Sequence, residues 1–224
     1  MRPPLELSNK LFNPFESDDI SPPFSDHWQA KRRVAQAIRE LTDVLVTSTP
    51  PTEELHAIAA NLEAQAKAFA ACPRLYGMME FFQDGGHGGY GEVSHELNAL
   101  GGWSNPLAPG LNMWLEGNKA YGTVKCGYAY EGPPGFIHGG YVAAIMDQFL
   151  GMAQIAGKNP GMTGTLTVRY HRPTPLNTDL QLEAEIVSVH GRKTIVKGEI
   201  RAGDTVTATC EGLFIRPKGG MPTG

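Results

Sequence analysis

Between Trp28 and Val46 apolar residues recur every three or four positions, at Val34, Ala37, Ile38, Leu41, Val44 and Leu45, and that spacing predicts one face of a helix. Pro50-Pro51 closes the segment. Thr52 ahead of Glu53 and Glu54 supplies an N-cap residue and acids that favour the positive end of a helix, so a second, alanine-rich helix is predicted to run to about Ala71. From 140 to about 156 the chain is apolar nearly all round, which predicts a helix buried on most sides. The period then switches to two. Leu166, Val168 and Tyr170 alternate with Thr165, Thr167 and Arg169, while Leu180, Leu182, Ala184 and Ile186 alternate with Gln181, Glu183 and Glu185. Stretches 195–201 and 205–215 carry similar β-branched patterns, with turns at Gly191 and at Ala202-Gly203-Asp204, and 119–130 is a further β-capable run. Hairpin-length connections predict a mostly antiparallel sheet. One strand, one long apolar helix and then a meander of about four strands is an α+β pattern, satisfied by a sheet that curls around the helix.

The remaining segments are punctuated differently. Residues 1–26 are rich in Pro, Ser and Asp with scattered apolar residues, and read as an arm that is disordered or laid over a folded surface. Stretches 84–91 and 100–114 are dense in Gly, Pro and Asn, so little regular structure is expected there. The resulting division is 1–117 for an N-terminal arm, two helices and a Gly/Pro-rich connection, 118–217 for the sheet-and-helix domain, and 218–224 for a tail.

With 224 residues, 41% of them hydrophobic and 19% charged, the chain has a globular composition. Its net charge of −4 supplies no basic footprint for nucleic acid. Cys72, Cys126 and Cys210 are odd in number and far apart, which fits a reducing compartment rather than a disulfide framework or a structural zinc site. No run reaches the ~18 apolar residues of a membrane-spanning helix and the N-terminus lacks a signal-peptide pattern, so a cytoplasmic protein is expected.

Two features on the long helix carry candidate chemistry. Asp147 stands mid-helix with Ala143, Ala144, Leu150 and Gly151 one turn away, so no cation on its own helix pairs with it. A carboxylate buried without partners is costly, and one that is kept is either a base or nucleophile or is held by hydrogen bonds from a neighbouring loop. His138-Gly139-Gly140 stands where the helix begins. Unpaired N–H groups there suit an oxyanion, and glycines admit a carbonyl to the backbone; the alternative is a tight turn that needs glycine. A second copy, His87-Gly88-Gly89, is followed by no long apolar helix and reads as loop. Asp147 lies eight residues beyond Gly139, roughly 12 Å along a helix, too far for both to act on one carbonyl carbon. A two-fold homodimer with antiparallel helices, or a dimer of dimers, would complete two composite sites.

The stretch Gly132-Pro133-Pro134-Gly135-Phe136-Ile137-His138-Gly139-Gly140, with Asp147 nine residues after the histidine and then Thr163-Gly164-Thr165-Leu166-Thr167-Val168-Arg169-Tyr170-His171-Arg172-Pro173, resembles the hotdog-fold acyl-CoA thioesterases. It is most similar to the phenylacetate-pathway type and to the members related to the carboxyl-terminal modulator protein. The resemblance covers roughly 119–217. It implies a hotdog fold, with an acyl-CoA substrate and no cofactor or metal. Asp147 matches the carboxylate that activates water or attacks the thioester, and Gly139 matches the residue whose N–H polarises the carbonyl. His138 and Gly140 match the rest of that loop, and Thr163 matches a hydroxyl that positions water. Thr165 is the rival for that last role, being one strand repeat away. Arg169, Arg172 and Lys193 are candidates for the CoA phosphates or else ordinary strand-edge cations. Met146, Phe149 and Leu150 are walls of an acyl pocket or simply core. The rival from another class is a non-catalytic acyl-CoA binding or sensing module on the same fold. A hydratase would need an Asp/His pair in an arrangement not found here.

Overall fold

The computed structural model describes residues 25–218, apart from Asn118 and Lys158. The arm expected over 1–26 therefore lies outside the described residues except for Ser25 and Asp26, and so does the tail beyond Lys218. Ser25 is an N-cap: its hydroxyl accepts the Trp28 N–H at 3.4 Å and opens α1 (Asp26–Thr47). After an extended linker comes α2 (Thr52–Ala70), with acids in its first turn and Lys67 in its last, as the helix dipole favours. Four helices precede the sheet where the periodicity predicts two, because α3 (Met78–Asp84) and α4 (Tyr90–Leu97) are too short for a 3.6-residue period to emerge. The stretch 84–91, read as loop, thus holds the end of one and the start of the other.

Six antiparallel strands follow in the order β1-β2-β4-β5-β6-β3. They are β1 (Asn112–Glu116), β2 (Lys119–Val124), β3 (Met162–Tyr170), β4 (Leu180–His190), β5 (Lys193–Ala202) and β6 (Thr205–Ile215). The sheet thus begins at Asn112, inside the stretch read as irregular connection. Only five residues pair there, and both Asn112 and Glu116 face solvent, so no apolar alternation marked them. Conversely, the run 119–130 does not stay extended to its end: Tyr128–Tyr130 form a single 3-10 turn.

Between β2 and β3 runs α5 (Gly139–Ala153), whose Val142, Ile145, Met146, Phe149, Leu150 and Ala153 are all buried. The sheet wraps it as the hotdog arrangement requires. Inward residues of each strand alternate, with Leu180, Leu182 and Ala184 on β4 and Ala208, Cys210 and Phe214 on β6 meeting the helix. Two glycines let the backbone close in. A Cβ on Gly122 would stand 3.0 Å from the Phe149 ring, and one on Gly198 would stand 2.8 Å from a Leu150 methyl. Each buried side chain of this size stabilises the fold by roughly 1.5–3 kcal/mol. Met146, Phe149 and Leu150, offered as pocket wall or core, are core in the single chain, each at 0% exposure.

Candidate active site

The start of α5 is built from the loop before it. Gly132 folds against His138 so closely that a Cβ there would lie 2.6 Å from the His138 Cα, and Gly135 turns with φ 83°. The Ile137 N–H donates to the Thr174 carbonyl at 2.8 Å and the His138 N–H to the Tyr130 carbonyl at 2.9 Å, which fixes the approach. His138 then caps the helix itself: its Nδ1 accepts the Gly140 N–H at 3.0 Å. An accepting Nδ1 leaves the ring proton on Nε2. The Gly140 N–H is therefore spent within the protein, whereas the Gly139 N–H meets no acceptor among the described residues. Of the two glycines, Gly139 keeps the free donor at the positive end of a helix. Its carbonyl is held from the other side by the Tyr170 hydroxyl, which donates to it at 2.7 Å. Tyr170 belongs to the site's frame, though in the sequence it stands only as one of the residues alternating with Thr165, Thr167 and Arg169.

Two turns further on, the side-chain oxygen of Asp147 accepts the Thr163 hydroxyl at 2.9 Å. Asp147 is not the fully buried carboxylate the apolar helix predicts: it is half-buried, because its face of α5 turns towards β3, an edge strand that leaves the flank open. The hydrogen bond occupies one carboxylate oxygen and leaves the other for a ligand. Beside it, burial foremost and then the Asp147 charge push the Cys210 thiol up to about 12, so it stays a neutral neighbour rather than a competing thiolate.

Thr165, the rival to Thr163, is turned away. The ladder slips between Thr163 and Thr165, so Thr163 lies opposite inward-facing Phe214 while Thr165 lies opposite Leu213. A bulge centred on Gly164 thus breaks the alternation that would have kept both threonines on one face. The same register sends Leu166, Val168 and Tyr170 inward and Thr167 and Arg169 outward. Arg169 lines a cavity of about 570 Å³ on the outer face, among Lys119, Lys197, Glu183, Glu185, Glu199 and Glu211. That hollow lies across the sheet from Asp147, and its four carboxylates repel phosphate. Arg172 is exposed just past Tyr170, at the Gly139 end of β3. Lys193, also exposed, shares Ile215 as a register partner with Met162 and so stands at the Thr163 end. The candidate cations are thus split between the two ends and the wrong face.

α1 braces this frame from outside. Asp43 of α1 accepts the Ala129 N–H at 3.1 Å, one residue before Tyr130, whose carbonyl holds His138. Tyr130 and Tyr141 meet edge to face with centroids 4.9 Å apart over the start of α5.

The family model of the thioesterase superfamily matches residues 134–209. Acyl-coenzyme A thioesterase THEM4 of Xenopus laevis is 35% identical over 105 residues, 44% of this chain and 47% of the relative. Acyl-coenzyme A thioesterase THEM5 of Homo sapiens is 32% identical over 101 residues, 44% of this chain and 40% of the relative. The chain spans about half the length of the curated relatives it matches. A solved thioesterase superfamily protein is 34% identical, with a TM-score of 0.71, over 87% of this chain and 97% of its own. On this agreement of sequence and architecture, the chain belongs to the thioesterase superfamily.

Proposed function

We propose that this protein hydrolyses acyl-CoA thioesters to a carboxylic acid and free CoA. The observation that carries the reading is a pair of unspent groups on one helix: the Gly139 N–H, which has no acceptor among the described residues, and the Asp147 carboxylate, which Thr163 engages through one oxygen. The names of the THEM4 and THEM5 relatives support the substrate class. Asp147 either takes the proton of a water that attacks the thioester carbon or attacks that carbon itself. In both cases a C–O bond forms, the carbonyl oxygen gathers negative charge against the Gly139 N–H, and the C–S bond breaks to release the CoA thiolate; on the first route the water proton passes from Asp147 to that thiolate, and on the second a water then cleaves the acyl–Asp147 anhydride to free the acid. Thr163 holds the carboxylate in one orientation, and no cofactor or metal is invoked.

Because Gly139 and Asp147 stand roughly 12 Å apart on one helix, the reading requires a second copy. The open flank supports this: β3 is an edge strand with most of its residues exposed, and it carries Thr163 at one end and Tyr170 at the other. A two-fold axis there would bring the Gly139 end of each chain to the Asp147 end of the other, and would also bring Arg172 and Lys193 to one mouth. The test is release of free thiol from acyl-CoAs of graded length. The reading expects turnover on at least one of them; binding without turnover across the panel would replace it with a non-catalytic acyl-CoA module.

A further inference from the structure

α2 is a helix with nothing to lie on. Each of its residues from Thr52 to Ala70 is exposed, and yet Leu55, Ile58, Leu62 and Phe69 fall on one side at spacings of three, four and seven. Free helices of this length are marginal in water, and an apolar stripe makes a solvated one worse. α1 carries a second such stripe. Trp28, Ala35 and Asp43 turn towards the body of the protein, while Val34, Ile38, Leu41 and Leu45, at spacings of four, three and four, lie on another side. Val34, Ile38 and Leu45 are 40%, 41% and 57% exposed.

The two stripes match in kind but do not meet within the chain. Between them Ser48, Thr49, Pro50 and Pro51 form an extended linker, Pro51 having φ −57° and ψ 149°, which holds α2 off α1 as a short stiff spacer. Their charges differ in sign. α1 has Lys31, Arg32, Arg33 and Arg39 against Asp26, Glu40 and Asp43, whereas α2 has Glu53, Glu54 and Glu63 against Lys67 alone. Nine large apolar side chains between Val34 and Phe69 are 39–62% exposed. Summed over the two separate helices, they leave on the order of 700 Å² of apolar surface in water, near the ~800 Å² each partner covers in a stable interface.

We infer that α2 is an exchanged arm: its stripe packs on the α1 stripe of a second copy of this chain, and the second copy's α2 packs on this α1. The α1 anchor sets where the arm leaves. Asp43 is hydrogen-bonded beside the turn that holds His138, so the arm departs from the Gly139 end of α5, where the composite site meets its partner. The inference rests on the helices alone and stands whether or not the chain hydrolyses thioesters.

The full chain tests it in a Cys72→Ser background, where the remaining cysteines are buried. Chains carrying Ile38→Cys and chains carrying Leu62→Cys are co-expressed and treated with a short bis-maleimide. A covalent heterodimer is expected, reduced at least about tenfold when the second chain also carries Leu55→Glu and Phe69→Glu. If a single chain bearing both cysteines closes on itself at high dilution, the stripes meet in cis and the inference is overturned. Amide hydrogen exchange decides the case of no cross-link. Exchange over 52–70 that is at least about 100-fold slower than in the isolated peptide, and that speeds up on dilution, supports the exchanged arm; peptide-like exchange overturns it.

Discussion

His87-Gly88-Gly89 and His138-Gly139-Gly140 share a tripeptide, and each is followed nine residues after its histidine by a carboxylate, Glu96 or Asp147. The first copy also leads into a helix, α4, which corrects its reading as plain loop. It is offset, however: Gly89 rather than the histidine is the N-cap, and Gly88 turns with φ 95°. His87 is a rivet. Its carbonyl accepts the Trp28 indole N–H at 2.9 Å and its ring packs against Trp28 and Phe81. Glu96 is 2% exposed and saturated, with Arg32 donating Nε at 2.8 Å and Nη2 at 2.6 Å to one oxygen and Ser104 donating to the other at 2.5 Å. Asp147 is more open and has Thr163 on one oxygen. Among the described residues, the buried carboxylate is thus the one tied into the frame through both oxygens. Unspent hydrogen-bonding capacity, not burial, is what sets the proposed catalytic acid apart from Glu96.

That contrast can be broken at either acid. Asp147→Asn is expected to lower kcat at least about 1000-fold while leaving the melting temperature in place, since it removes the proposed base or nucleophile but keeps the side chain's shape. Arg32→Met should do the reverse. Leaving Glu96 buried without its cation is expected to cost about 3–5 kcal/mol in denaturant unfolding, with turnover per folded molecule unchanged. If Arg32→Met lowers turnover as strongly as Asp147→Asn, the two acids are not separable in this way.

A smaller effect sharpens the Asp147 side. Thr163→Val keeps the shape of the strand and removes one hydrogen bond to a charged group, so a 10- to 100-fold loss in kcat is expected with little change in stability. Thr165→Val, on the other face, should leave kcat within about twofold.

A further effect lies on the Glu96 side and depends on pH. Burial foremost and then the Arg32 charge lower the pKa of His95 from 6.5 to about 4. The unfolded chain takes up that proton near 6.5 and the folded chain refuses it until about 4, so His95 contributes stability above 6.5 that is lost as pH falls through this window. Urea unfolding of the wild type should weaken from pH 6.5 to 4, and His95→Gln should flatten that slope; an unchanged slope would contradict it.

The sheet and its helix were legible because both carry long periods. α5 is apolar on nearly every side, β4 alternates from Leu180 to Ile186, and β6 alternates from Ala208 to Ile215. β1, α3 and α4 were not, since five to eight residues among glycines leave no period to read. The motif at 138–140 located the helix start, but which N–H stays free depends on the His138 ring, a contact that no spacing encodes. Thr163 against Thr165 turned on a one-residue bulge at Gly164, and Arg169 fell to the outer face with it. Tyr170 reaches Gly139 across 31 residues of sequence, a pairing that only the folded register makes visible.

The central claim is that each site takes Gly139 from one chain and Asp147 from another. Gly139→Pro removes the free N–H cleanly: it stands at the first helical position, where proline fits, and His138 before it is already extended at φ −59° and ψ 130°. Alone it should lower kcat about 100- to 1000-fold. Co-expressed with Asp147→Asn, it should recover about a quarter of wild-type turnover, because half of randomly paired dimers then hold one intact site of two. Recovery to that level supports the shared site; a mixture no more active than its two inactive parents would contradict it.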